Sequence, residues 1–258
     1  MKKSRSPNFF SAPFGAEYAL RPSWNFWQRL YIRIFGLIDF AGRLRAQAIL
    51  KELLPLRPLS ILDFGFGTGC YAFYLSRDES IQVTGLEIDP RRIADSKEIL
   101  KSLGRKNLEF LRSEAQSSLR FMPPEKYDLV LAIEVLQYLP DPAETLKDLG
   151  RLLKPGGYLI AHLPSLGYLR PKELHLLDDE GIRKIFAQSN FSIIRCTRTV
   201  GGFLRLLISL YNFLTPSPIF AGILFPIFFL LSKGLSISHL QGEYRLILAQ
   251  KMNRKTQA

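Results

Sequence analysis

Residues 61–70 read Ile-Leu-Asp-Phe-Gly-Phe-Gly-Thr-Gly-Cys. Apolar residues lead into Asp63 and resume from Tyr71 to Leu75, so a buried strand, a tight turn and a helix start are expected. Gly65, Gly67 and Gly69 suit such a turn because they accept positive φ and, lacking a Cβ, let a ligand lie against the backbone. The N–H groups of the turn are then expected to face an anion or a polar ligand. A second acid, Glu87, closes the β-branched run 81–87. There a carboxylate can accept hydrogen bonds from both hydroxyls of a ribose. Glu134 closes a further apolar run, Tyr138 follows it, and His175 stands in the connection 164–177. An imidazole titrates near neutral pH and suits a general base, although a surface histidine is the competing reading of His175. His162, at the end of another apolar run, is a weaker candidate for the same role.

Glycine spacing separates two nucleotide-type ligands. A dinucleotide fingerprint, Gly-x-Gly-x-x-Gly/Ala, would need a small residue at position 70, where Cys70 stands. What is present is Asp-x-Gly-x-Gly-x-Gly, and it resembles motif I of the class I S-adenosylmethionine-dependent methyltransferases. Four more segments resemble that family in the right order. They are Glu87 at the second strand end, Glu114-Ala115 after the third strand, Tyr127 to Glu134 with the loop Val135 to Pro142, and Leu153-Lys-Pro-Gly-Gly-Tyr-Leu-Ile160.

The resemblance implies S-adenosylmethionine as methyl donor. It places Asp63, Phe64, Gly65, Gly67 and Gly69 around the donor, Glu87 and Ile88 at its ribose, and Glu114 and Ala115 at its adenine. Ile133 falls beside the sulfonium, with Glu134, Tyr138 and His175 as candidate catalytic residues. The implied fold is α/β and Rossmann-like, a seven-stranded, mostly parallel sheet with an antiparallel last strand. Two departures narrow the inheritance. Where ubiquinone-biosynthesis O-methyltransferases read Glu-x-x-Glu-His and are associated with a metal, this chain keeps only Glu134, so no metal site is expected. The Asp/Asn-Pro-Pro-Tyr/Phe motif of DNA and protein-amide methyltransferases is absent, which argues against an amide or exocyclic-amine target.

The elements that must position these residues follow from pattern. Alternating strands and helices from 59 to 163 imply a parallel sheet with its ligand at the C-terminal strand ends. Asp89-Pro90 caps a helix ending at Gly104, Asp141 caps another reaching Leu153, and a third runs from Asp178 to Ser189. Phe191 to Val200 and Glu243 to Lys251 alternate as two closing strands.

The chain has 258 residues, is 47% hydrophobic and carries a net charge of +12. One core with embellishments is expected. Residues 1–57 hold 10 Lys/Arg against 3 Asp/Glu, and 195–258 hold 8 against 1, while 58–194 hold 17 against 19. The surplus therefore lies outside the core, where it favours an anionic partner. It is interleaved with aliphatic runs rather than set in a recognition module, so a nucleic-acid partner is disfavoured. Two distant cysteines, Cys70 and Cys196, imply neither a disulfide framework nor a metal site, and point to a reducing compartment. The start lacks an apolar run of signal-peptide type, so a cytoplasmic protein is expected, peripheral on the inner membrane face.

Four regions result. Residues 1–57 form a basic amphipathic region, with Trp24, Trp27, Tyr31, Ile34, Phe35 and Ile38 at helical spacing and a second helix from about Arg43 to Leu54. Such a face suits either a lid or a membrane interface. Residues 58–200 form the donor-binding core, 201–242 a hydrophobic helical insertion, and 243–258 the last strand and a basic tail. From Leu206 to Ser232 there are 27 residues without a charge. Thr215-Pro-Ser-Pro218 divides them into halves of about a dozen residues, reaching roughly 18–21 Å against a bilayer core of about 30 Å. Neither half spans, which leaves an interfacial hairpin, a lid or a dimer contact. The acceptor is expected to be a small hydrophobic or membrane-borne molecule, such as a quinone precursor, lipid or lipid-linked glycan. A catalytically silent assembly factor at the membrane and a nucleic-acid methyltransferase are the alternatives; oligomeric state is left open.

Overall fold

The computed structural model describes residues 13–36, 40–113, 117–164, 178–199, 202–214, 223–224, 226–228 and 244–252. Two helices come first, α1 (Phe26–Phe35) and α2 (Phe40–Leu53). The alternating body follows: β1 (Ser60–Phe64), α3 (Cys70–Leu75), β2 (Gln82–Glu87), α4 (Pro90–Leu103), β3 (Leu108–Arg112), α5 (Ser117–Phe121), β4 (Tyr127–Ile133), α6 (Pro142–Leu152) and β5 (Leu153–Pro164). It closes with α7 (Asp179–Gln188), β6 (Phe191–Thr199), α8 (Gly202–Leu214) and β7 (Tyr244–Lys251).

These strands form one seven-stranded sheet in the order β3-β2-β1-β4-β5-β7-β6. Pairing is parallel from β3 through β5, and β7 runs antiparallel to both β5 and β6. This is the sheet that the sequence pattern and the resemblance imply. Because side chains alternate along a strand, β1 sends Ile61 to one face and Leu62 to the other. Ile61 joins Val83, Phe110 and residues of α2, α3 and α4, while Leu62 joins Val130, Leu159 and residues of α5, α6 and α7. The central strands β1 and β4 are therefore buried on both faces with nearly continuous apolar runs, while the edge strand β3 alternates buried and exposed residues.

Local signals set the helix ends as expected. Asp89, Asp141 and Asp178 each accept a backbone N–H in the first turn of α4, α6 and α7, and Gly104 ends α4 at φ 64°. The helix expected around Trp24 is shorter than its apolar spacing suggests. Asn25 and Gln28 form a capping box that starts α1 after Trp24, and Gly36 at φ 78° ends it before Ile38. The N-terminal region is tied to the body by Glu17, buried between Arg77 and Arg105, with Arg77 Nε donating at 2.7 Å. In the hydrophobic insertion, α8 and residues 223–224 and 226–228 are helical; Thr215 to Pro218 and 229–242 lie outside the described residues. Among the described residues, no helix is long and apolar enough to cross a membrane.

Close packing at the ligand end of β2 depends on Gly85. A Cβ there would sit 2.7 Å from Phe110 Cδ1 and 2.8 Å from Phe66 Cδ1, whose rings pack tilted with centroids 4.6 Å apart. Gly85→Ala is therefore expected to cost about 1–3 kcal/mol through overpacking. A lower urea midpoint at unchanged slope would report that loss.

Candidate functional site

At the C-terminal ends of β1, β2 and β4 lies a cavity of about 820 Å³. Of the residues singled out from the sequence, Asp63, Gly65, Gly67, Glu87, Ile88, Ile133, Glu134 and Tyr138 line it. Phe64 faces the core between β1 and the α6 layer, and Gly69 is the N-cap of α3; neither is among the lining residues. Glu114, Ala115 and His175 lie outside the described residues.

The glycine turn takes positive φ at all three glycines, 68° at Gly65, 58° at Gly67 and 69° at Gly69. A Cβ at Gly65 would stand 2.6 Å from Val135 Cγ2, so this glycine also lets the loop after β4 close against the turn. One expectation changes here. The N–H groups of Gly65 and Phe66 donate to Leu86 O, that of Gly67 to Glu87 Oε2 at 2.8 Å, and that of Gly69 to Phe66 O. The turn thus folds back on β2 and spends these donors internally rather than facing a ligand with them.

Glu87 is 7% exposed, and its carboxylate accepts from the N–H groups of Gly67, Ile88 and Asp89. Those bonds fix it at the cavity wall, with part of its acceptor capacity left for a ligand hydroxyl. Asp63 is 2% exposed, and its Oδ2 is buried with no hydrogen-bond partner. Burial, with Glu87 nearby, pushes its carboxyl up to about 7, against the N–H of Ala72 that favours the anion. Asp63 lines the cavity, and a carboxylate oxygen left without a hydrogen-bond partner is complementary to a cation.

At the other end of the cavity stands a polar group that the sequence pattern did not assemble. Glu134 holds φ 54° just past β4, its N–H donating to His162 O at 2.7 Å. That backbone, uncommon for a residue with a side chain, aims its carboxylate inward. Arg45 of α2 pairs with the carboxylate, and His162 Nδ1 lies 3.6 Å from it, an electrostatic contact too long for a hydrogen bond. Burial alone would raise the Glu134 carboxyl, but His162 and Arg45 together hold it below the usual carboxylate range. Burial keeps His162 below its own usual range despite that acid, and its Nε2 meets Thr199 Oγ1 at 3.1 Å. Tyr71 also lines the cavity, its hydroxyl buried and without a hydrogen-bond partner.

Arg45 and Tyr71 escaped the sequence reading, and His162 stood there only as a weak base candidate. Arg45 looked like one cation of an amphipathic helix, and Tyr71 like core. Only the three-dimensional return of α2 over the sheet brings them to Glu134. Neighbouring strands lie about 4.8 Å apart, so Glu87 on β2 and Glu134 after β4, two strands away, are separated by roughly 10 Å. The cavity can therefore take an elongated ligand with a hydroxyl-rich end, a cationic centre and a reactive end. Among the described residues, no group of three or more His, Cys, Asp or Glu could hold a metal ion.

Comparison with known proteins agrees with this geometry. A family profile described as "Methyltransferase domain" matches residues 62–159. The chain is 32% identical over 118 residues to a ubiquinone biosynthesis O-methyltransferase of Serratia proteamaculans (strain 568), covering 45% of this chain and 47% of the relative. It is 36% identical over 115 residues to a demethylmenaquinone methyltransferase of Lactococcus lactis subsp. lactis (strain IL1403), covering 43% and 44%. The match thus spans about half the length of these relatives. Among solved structures, a putative sarcosine dimethylglycine methyltransferase from Galdieria sulphuraria superposes with TM-score 0.60 at 17% identity, covering 88% of this chain and 97% of that one. The [4+2]-cyclase SpnF superposes with TM-score 0.59 at 22% identity, covering 84% of each chain. These two share the fold.

The raised Asp63 carboxyl has a consequence for stability. From its ordinary 3.8 up to about 7 the folded chain keeps a proton that the unfolded chain releases, so stability falls with rising pH across that window. Asp63→Asn is expected to remove this slope. The variant should match the parent near pH 5 more closely than at pH 8, where it gains on the order of 3 kcal/mol. Urea unfolding at the two pH values checks this.

Proposed function

We propose, from the match of residues 62–159 to a methyltransferase-domain profile and the resemblance of the glycine turn to motif I of the class I S-adenosylmethionine-dependent methyltransferases, that the protein moves a methyl group from S-adenosylmethionine to a small hydrophobic acceptor of the quinone-precursor type. The single observation that carries this is one cavity lined by the glycine turn, an orphaned Asp63, a clamped Glu87 and the Arg45–Glu134 pair. Two relatives named for ubiquinone and demethylmenaquinone methylation support the acceptor class. Lipids and lipid-linked glycans share its hydrophobic, membrane-borne character. The +7 surplus of residues 1–57, 10 Lys/Arg against 3 Asp/Glu, supports a cytoplasmic protein held peripherally at an anionic inner membrane face.

The cavity's residues fit the donor by chemistry. Asp63 would hold its ammonium, Arg45 its carboxylate, and Glu87 its ribose diol, with Gly65, Gly67, Ile88 and Ile133 shaping the wall. Glu114 and Ala115 would complete the adenine end. When bound, S-adenosylmethionine supplies a methyl group already activated on a sulfonium. The chain's own task is then alignment and exclusion of water. Phe14, reaching over from the N-terminal region, and Phe66 contribute apolar wall to that end. Glu134, kept ionised, would accept the proton of an acceptor hydroxyl or enol, and Tyr138, 61% exposed at the cavity mouth, would guide the acceptor in. His175 stays a candidate for the same proton.

One observation favours a second reading, a catalytically silent, donor-binding assembly factor: Glu134 is already paired with Arg45. A fold and a bound donor do not by themselves establish turnover. A nucleic-acid methyltransferase remains the least favoured alternative.

Calorimetry and radiolabel transfer test the assignment together. Loss of one charge-assisted hydrogen bond is worth about 1.5–3 kcal/mol, so Arg45→Gln should weaken binding of S-adenosylhomocysteine by about ten- to a hundredfold. Glu134→Gln should change that affinity only a few-fold while lowering methyl transfer into a lipid extract by about a hundredfold. Folded protein that yields no heat with the donor or its demethylated product would overturn the assignment.

A further inference from the structure

Helices α1 and α8 leave an unusual amount of apolar surface in water. On α1, Phe26 is 69% exposed and Trp27 73%, with Ile34 also exposed and Ile32 the one buried side chain. On α8, Leu206, Leu210 and Phe213 are exposed, as are Ile223 and Ile227 beyond it. Exposed apolar side chains in such numbers on adjacent elements mark an interaction surface. The two helices are joined. Phe35, at the end of α1, packs on a small cluster of Leu44, Leu207, Tyr211 and Phe228 that is separate from the main core. Helix α2 stands between this cluster and the cavity, for Gly42 and Arg45 line the cavity while Leu44 belongs to the cluster.

Two occupants compete, a second copy of the chain and a lipid surface. Charge decides between them. The polar side of α1 carries exposed Arg29 and Arg33, and no acid stands between Glu17 and Asp39. The stretch 206–232 has no charge at all. A second copy would bring the same cations against each other with no acid from this face to answer them. An anionic bilayer supplies opposite charge at headgroup depth and hydrocarbon beneath it, which suits tryptophan and phenylalanine beside arginine.

We propose that the α1–α8 face docks on an anionic lipid bilayer, with its apolar side chains at the headgroup boundary and α2 as the wall between lipid and cavity. The purpose rests on the function proposed above, a membrane-borne acceptor. The docking itself does not. It makes the face a loading surface, from which an acceptor with a long apolar tail reaches the cavity past α2 without passing through water.

The chain's two tryptophans, Trp24 and Trp27, give a direct readout. The full chain carrying Trp24→Phe is mixed with phosphatidylcholine vesicles, with or without phosphatidylglycerol, and with brominated lipid as quencher. Trp27 emission should shift to the blue and be quenched on the anionic vesicles. Binding should fall at least fivefold without phosphatidylglycerol and weaken as the screening length drops from about 10 Å at 0.1 M salt to about 3 Å at 1 M. Leu210→Ser with Phe213→Ser, both at exposed positions, should cut partitioning by tenfold or more. Binding of S-adenosylhomocysteine, measured on the same preparations, reports on the fold and on the donor site independently. Absence of quenching from protein that binds S-adenosylhomocysteine overturns the docking. So does undiminished partitioning of the double variant, or a stable dimer that shields Trp27 from lipid.

Discussion

The carboxylate of Glu87 reaches across from β2 to hold the glycine turn, and the cavity depends on that clamp. Its acceptance of the Gly67 N–H, with Gly65 and Phe66 donating to the carbonyl one residue earlier, folds the turn flat over the ends of two strands. A turn folded this tightly needs positive φ and room for Val135, which only glycine at position 65 supplies. Asp63 is then buried immediately beneath, and the space above the sheet is left to a ligand. One polar contact therefore links the end of β2, the turn after β1 and the loop after β4, the three segments from which the site is made.

Electrostatics give the site its direction. Asp63 and Glu87 sit together at one end, close enough for each to oppose the other's charge, and no hydrogen bond answers Asp63 Oδ2. At the far end Glu134 is answered by Arg45. The cavity is thus poised at the Asp63 end to lower its own energy by taking in positive charge, and balanced at the other. A donor that presents a cation to Asp63 and a diol to Glu87 matches that asymmetry better than a dinucleotide, whose pyrophosphate would lie against two acids and the already bonded N–H groups of Gly65, Phe66 and Gly67.

The alternation of strands and helices, the helix caps at Asp89, Asp141 and Asp178, and the positions of Asp63, Glu87 and Glu134 were legible because each rests on a local rule, whereas the antiparallel closing strand came only from the resemblance. Such rules are period-two burial, capping by a short acid, and an acid closing a strand. What was not legible depended on contacts far apart in the chain. The N–H groups of Gly65, Phe66 and Gly67 bond to residues about twenty positions later. Arg45 meets a partner 89 positions on. The extent of α1 shows the converse, since the apolar spacing continues through Trp24 and Ile38, but the Asn25–Gln28 box and Gly36 override it. Periodicity says which face is apolar, and caps say where the helix stops.

That α2 serves two surfaces at once follows from how little separates adjacent residues on a helix. Leu44 and Arg45 are consecutive, about 100° apart around the axis, so the same turn buries one side chain under α8 and extends the other to Glu134. A single turn of helix therefore sets one side chain in the apolar cluster and the next at the polar end of the cavity.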